Sequence, residues 1–121
     1  MTRSDIGFAA EQLAKQFLIN HNYKIIGQNY RRPWGEIDII AQKEGITIFV
    51  EVKANTAQYK AYAPELRAGF TKLKKVIRTA RTYLMDKKYK SSQPWQIDVI
   101  SIIFDKTARS AQIKHFKNIE I

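Results

Sequence analysis

The sequence has no cysteine among its 121 residues, which excludes disulfides, thiolate metal sites and a cysteine nucleophile. It also has no apolar run approaching the length of a membrane span. Its first dozen residues, MTRSDIGFAAEQ, lack the long apolar core of a secretory signal. A reducing, cytoplasmic setting is therefore the expectation. Histidine is scarce, and His21 and His115 each stand without a partner at metal-ligand spacing, so both read as non-catalytic. Acids are the scarce sign of charge. There are 11 Asp and Glu against 21 Lys and Arg, for a net charge of +10. Such an excess favours polyanions, whether DNA, RNA or an anionic membrane surface. Ten of the bases fall between residues 60 and 90, where Glu65 and Asp86 are the only acids.

The length suits one domain spanning residues 1–121 with a real hydrophobic core. The stretch on which the rest turns is GEIDIIAQKEGITIFVEVKAN, residues 35–55. Glu36 to Gln42 and Thr47 to Lys53 read as two strands rich in β-branched residues. Lys43-Glu44-Gly45 supplies the tight turn between them. Alternation puts Glu36, Asp38 and Ile40 on one face of the first strand, with Ile37 and Ile39 on the other. On the second strand Phe49, Glu51 and Lys53 lie opposite Ile48, Val50 and Val52. Large apolar residues on both faces imply a hairpin covered on both sides.

Acids in that setting need balancing. An ionised carboxylate beside buried aliphatics costs roughly several kcal/mol unless it is paired or binds a metal. Lys53 brings one charge against the two of Asp38 and Glu51, so a divalent cation is the simplest completion. Mg²⁺ is a hard ion that takes carboxylates, water and substrate phosphate. The alternative is a strand with solvated ends, on which Glu51 and Lys53 are ordinary surface residues.

Ahead of the hairpin, Ser4 suits a helix N-cap with Asp5 in the first turn. Ile6, Ala10, Leu13 and Phe17, with Ala14 and Leu18 alongside, form one apolar helix face. Glu11 borders that face, either as a surface residue or as a carboxylate reaching over the sheet toward the hairpin acids. Tyr23 to Gly27 reads as a short strand, and Asn29 to Gly35 (NYRRPWG) as a loop. Arg31 and Arg32 among Tyr30 and Trp34 suit phosphate contact and base stacking; alternatively Trp34 packs on the core.

After the hairpin, Ala54 to Ala63 is a candidate lid carrying Tyr59, Lys60 and Tyr62. Pro64 suits a helix start, and Leu66, Phe70, Leu73, Ile77, Ala80 and Leu84 trace one amphipathic helix. Its other faces carry Lys72, Lys74, Lys75, Arg78 and Arg81, a density that suits phosphate tracking with salt-dependent binding. Its apolar stripe looks core-facing, which argues against a membrane surface as partner. Asp86-Lys87-Lys88 reads as a solvated helix end. Trp95 to Phe104 is a central strand in which Asp98 is either structural or near the site, and Ala111 to Lys117 an edge strand. The order α-β-β-β-α-β-β predicts an α/β fold, a mixed sheet flanked by helices.

The pairing of Gly35-Glu36-Ile37-Asp38 with Phe49-Val50-Glu51-Val52-Lys53 resembles the YraN family of small bacterial proteins. That family is similar to the restriction-endonuclease-like PD-(D/E)xK superfamily and to archaeal-type Holliday junction resolvases. The likeness extends over nearly the whole chain, through Gly7, Glu11, Ala14, Tyr23, Asn29, Lys72 and Asp98. It departs at Ala10, Asn55 and Gln96, where the family has Gly, Arg and Arg. The resemblance implies Asp38, Glu51 and Lys53 as catalytic residues. Asp38, Glu51, the Val52 carbonyl and Glu11 would ligate Mg²⁺ or Mn²⁺, and Glu36 would be a further acid. Lys53 would orient the attacking water and offset charge at the phosphate. The implied activity is metal-dependent hydrolysis of DNA phosphodiesters, on branched or recombination and repair intermediates among others, by a protein that such folds often deploy as a homodimer. A nucleic-acid-binding protein without turnover and a module docking an acidic protein are the other readings.

Overall fold

The computed structural model describes residues 2–56, 70–105, 107 and 109–120. Helix α1 (Arg3–Asn20) opens on a capping box. The Thr2 hydroxyl accepts from the Asp5 N–H at 3.1 Å, and the Asp5 carboxylate accepts from the Thr2 N–H at 3.0 Å. Thr2, not Ser4, is therefore the cap, because only from Thr2 does Asp5 stand at the reciprocating position. The buried line of α1 is Ala10, Ala14 and Leu18, while Leu13 turns toward solvent. Two alanines on that line let the helix lie close to the sheet.

The sheet has five strands in the order β1-β2-β3-β4-β5. They are β1 (Lys24–Arg32), β2 (Gly35–Lys43), β3 (Ile46–Thr56), β4 (Trp95–Asp105) and β5 (Ser110–Phe116), with α2 (Phe70–Asp86) between β3 and β4. Only β3 and β4 pair in parallel. The element order is the expected one. The helices cover opposite faces. Ala10, Ala14 and Leu18 pack with Ile39, Val50 and Ile100; Val76, Ala80 and Tyr83 pack with Ile37, Ile40, Phe49 and Ile97. Successive residues of β3, Phe49 and Val50, thus serve different cores.

Two boundaries differ from the sequence pattern. Asn29 to Arg32 is strand, not loop: Tyr30, Arg31 and Arg32 pair with Ile37, Glu36 and Gly35, leaving only Pro33 and Trp34 to turn. Ala54 to Thr56 continues β3, because its parallel partner β4 carries the ladder on through Phe104. The rest of the expected lid, with Tyr59, Lys60 and Tyr62, and the helix start at Pro64 and Leu66 lie outside the described residues. The buried line of α2 runs Leu73, Val76, Ala80, Tyr83, with Ile77 and Leu84 at its border. The Tyr83 ring sets that rotation, meeting Tyr30 and Phe49 edge-on with centroids at 5.1 and 5.7 Å.

Between β2 and β3 the two-residue turn Glu44-Gly45 has positive φ at both positions, 52° and 80°. That is the hairpin turn whose twist matches the strands it joins. At the other end of β2, Gly35 lies against α2. A Cβ there would meet Thr79 Oγ1 at 2.5 Å and the Lys75 carbonyl at 3.2 Å, so only glycine allows this contact. Among the described residues no helix is long and apolar enough to cross a membrane.

Candidate functional site: an acidic strand fork

The β2–β3 ladder runs from Lys43 and Ile46 to Ile39 and Val50, and there it stops. The next inward-facing donor on β3, the Val52 N–H, goes to Asp38 Oδ2 at 2.8 Å. A side-chain carboxylate stands where a strand carbonyl would have been, and the two strands part. The expected alternation breaks at the same place. Ile37 packs with Ile40 on the α2 side, whereas Ile39 packs on the α1 side. Asp38 therefore points into the fork rather than onto either helix-covered face.

Four carboxylates gather around this fork. The Asp38 carboxyl is pushed up to about 7, first by burial and then by the charge of Glu51, with smaller contributions from Glu11 and Glu36; the Val52 N–H opposes them. Glu51 is buried. The continuous register of β3 with β4 keeps it on the side of Phe49 and Lys53. Glu11, half-buried on α1, is also pushed up, by burial and then by Glu36, with a smaller contribution from Glu51. Arg31 Nε lies 3.3 Å from Glu36 Oε1. Asn29 stands between Glu36 and Glu11. With its amide nitrogen turned to them it donates to Glu36 Oε1 at 3.2 Å and Glu11 Oε1 at 3.1 Å. The Val52 side chain packs into the α1-side core, as expected. Lys53 is half-buried and in register with Ser101, whose hydroxyl is buried without a hydrogen-bond partner.

The arginines and the Asp86 helix end behave differently from the sequence reading. Arg32 pairs with Asp86, which also accepts from Tyr30 Oη at 2.7 Å. Asp86 is thus an anchor between β1 and the end of α2, not a merely solvated residue. The hydrogen bond to Asp86 follows burial in pushing the Tyr30 hydroxyl up to about 12. On α2, Lys74, Lys75, Arg78 and Arg81 are exposed. Arg78 lies 4.3 Å over the Trp34 ring. Lys72 is in the first turn of the helix, and its side chain lies outside the described residues.

Asp98 is structural. It is fully buried and accepts from His115 Nε2 at 2.7 Å, Gln96 Nε2 at 2.9 Å and the Asn118 N–H at 2.9 Å. Burial pushes its carboxyl up, but these bonds outweigh it and hold the group below the usual range. His115 is not solitary, since it is the partner of Asp98 and packs against Phe17 and Tyr23. The pairing was hidden because the two residues meet only across the β4–β5 ladder. The His21 ring meets the Phe17 carbonyl at 2.7 Å.

Among the described residues, no three His, Asp or Glu side chains form a ready-made metal cage. The fork offers a hard, all-oxygen donor set instead, and Mg²⁺ typically takes one or two carboxylates with water and phosphate completing its shell. The crowding of charge on Asp38 is the kind of imbalance such an ion relieves, so the residues present fit a divalent cation.

A sequence profile described as "Uncharacterised protein family UPF0102" matches residues 10–102. The chain belongs to the UPF0102 family. A UPF0102 protein of Fervidobacterium nodosum is 41% identical over 114 residues, covering 91% of this chain and 77% of the relative. Others from Clostridium botulinum and Thermodesulfovibrio yellowstonii are 36% and 35% identical, covering 94% and 98% of this chain and 92% and 97% of the relatives. The UPF0102 match spans the fork, the basic helix and Asp98, and ends before His115 and Asn118.

Proposed function

We propose that this UPF0102 protein is a metal-dependent DNA endonuclease of the PD-(D/E)xK type, working in the cytoplasm on phosphodiesters that include branched repair or recombination intermediates. The observation that carries this reading is Asp38, held in the strand fork by the Val52 N–H and crowded by Glu51, Glu11 and Glu36. Asp38, Glu51, the Val52 carbonyl and Glu11 would hold Mg²⁺ or Mn²⁺. A bound ion would supply Lewis acidity at the phosphate and a more acidic water. Lys53, two residues beyond Glu51 and on its side of the strand, orients that water and offsets charge gathering on the phosphate oxygens. Lys72, Lys74, Lys75 and Arg78 hold the flanking backbone, Arg78 steadied by Trp34. Arg31 and Arg32, each already beside a carboxylate, contribute less.

A second reading keeps the nucleic-acid surface and drops the turnover. It is favoured by the lack of a ready-made cage among the described residues. The deciding experiment is cleavage of labelled linear, flapped and four-way DNA with Mg²⁺, Mn²⁺ or EDTA, comparing wild type with Asp38→Ala and Lys53→Ala. Metal-dependent products lost in both variants support the nuclease. Binding of the same DNAs with no product supports the second reading.

A further inference from the structure

Asn29 is an outlier twice over. It sits within β1 yet has φ of 50°, a left-handed conformation that Asn tolerates better than most residues and that strands do not ordinarily use. Its side chain also stands between two carboxylates on different elements, Glu11 of α1 and Glu36 of β2. An amide set between two acceptors can satisfy both only by presenting its NH₂ group, which has one hydrogen for each. The strand neighbours of Asn29, Gln28 and Tyr30, pair with Ile39 and Ile37. That register sets Asn29 directly across from Asp38. The backbone twist and the amide bridge thus occur one strand away from the fork.

From this geometry we infer that Asn29 is a positioning residue, which holds the Glu11 carboxylate toward Asp38 so that it can serve as the second acid of the metal site. The inference rests on the metal-binding reading of the fork. Two features make an amide suited to the task. It ties a helix carboxylate to a hairpin carboxylate that would otherwise repel it. It also does so without a positive charge. A Lys or Arg at this position would neutralise the fork and compete with an incoming cation, whereas the amide leaves the negative charge available. Arg31 lies beside Glu36 at 3.3 Å, and its charge also acts on Glu11. Glu36 is thus one end of the bridge and Glu11 the other. The left-handed backbone turns the short Asn side chain toward both.

The test is titration of Mn²⁺ alone into the metal-free protein, followed by calorimetry, for wild type, Asn29→Gly, Glu11→Gln and the double variant. Glycine accepts the positive φ without strain, so Asn29→Gly removes the amide and spares the backbone. Outer partners that orient metal ligands typically contribute roughly tenfold or more in metal affinity. Asn29→Gly and Glu11→Gln should therefore each weaken Mn²⁺ binding by about tenfold, and the double variant should be no worse than Glu11→Gln alone, since both act through one carboxylate. Wild-type affinity in Asn29→Gly with weakened binding in Glu11→Gln would overturn the positioning role while leaving the metal site intact. Additive losses would also overturn it, because Asn29 would then act by a route other than Glu11. Absence of Mn²⁺ binding by the wild type would remove the metal reading itself and this inference with it.

Discussion

The charge state of Asp38 sets the terms on which the fork exists without a cation. Its carboxyl is raised to about 7, first by burial and then by Glu51, against an ordinary value near 4 for an unfolded chain. Between those two values the folded protein holds more protons than the unfolded one. Stability therefore falls as pH rises through that window, and the full cost is present above about 7. Asp38→Asn removes the charge but can still accept from the Val52 N–H. In the metal-free protein it should raise the melting temperature by several degrees at pH 8 and change it little at pH 4. Added Mg²⁺ should raise the melting temperature of the wild type and not of the variant. Asp98 has the opposite sign. Its hydrogen bonds hold it below the usual range despite burial, so its contribution is complete above the unfolded value and is lost as pH falls through the folded one. Asp98→Ala leaves the His115 and Gln96 donors without their acceptor and should cost about 1–3 kcal/mol in urea unfolding at neutral pH. The penalty should shrink toward pH 3, and DNA binding by the folded fraction should be unchanged.

At the scale of elements, the hairpin and the basic helix are locked together at Gly35. Gly35→Ala would drive a methyl into Thr79 Oγ1 and the Lys75 carbonyl, and should cost about 1–3 kcal/mol. Thr79→Ala in the same chain should recover part of that loss, since the closest clash is with its hydroxyl. Much of this architecture was legible beforehand. Acids among Ile and Val singled out Asp38 and Glu51, which the fold brings together, and apolar periodicity gave both helices and the order of elements along the chain. Asn29 was not legible, because its role depends on a left-handed residue inside a strand and on a helix carboxylate distant in sequence. The alternation rule failed at Ile37 for a related reason: it presumes an unbroken ladder, and Asp38 ends this one by taking a backbone donor. The Tyr30-Arg31-Arg32 run looked like loop because Pro33, Trp34 and Gly35 follow it, yet pairing with β2 persists up to the turn.

Across the whole molecule, the net charge of +10 is distributed so that acids cluster at the fork and bases stand out along α2. Removing Lys74, Lys75 and Arg78 together should lower the slope of log affinity against log salt for duplex DNA by about three. Arg32→Ala should leave that slope nearly unchanged, because its guanidinium is engaged with Asp86. The connectivity has a kinetic corollary. Every acid of the fork comes from residues 11–51, in α1 and a three-strand meander whose pairings are close in sequence. The one parallel pairing joins β3 to a strand far along the chain, and closing so long a loop is slow to be rewarded by contacts. The meander can thus assemble as a folding nucleus before β4 docks. In stopped-flow measurements, Val50→Ala should slow refolding, whereas Ile102→Val should chiefly hasten unfolding. On this route the carboxylates meet early, while the sheet is still open to water and to ions.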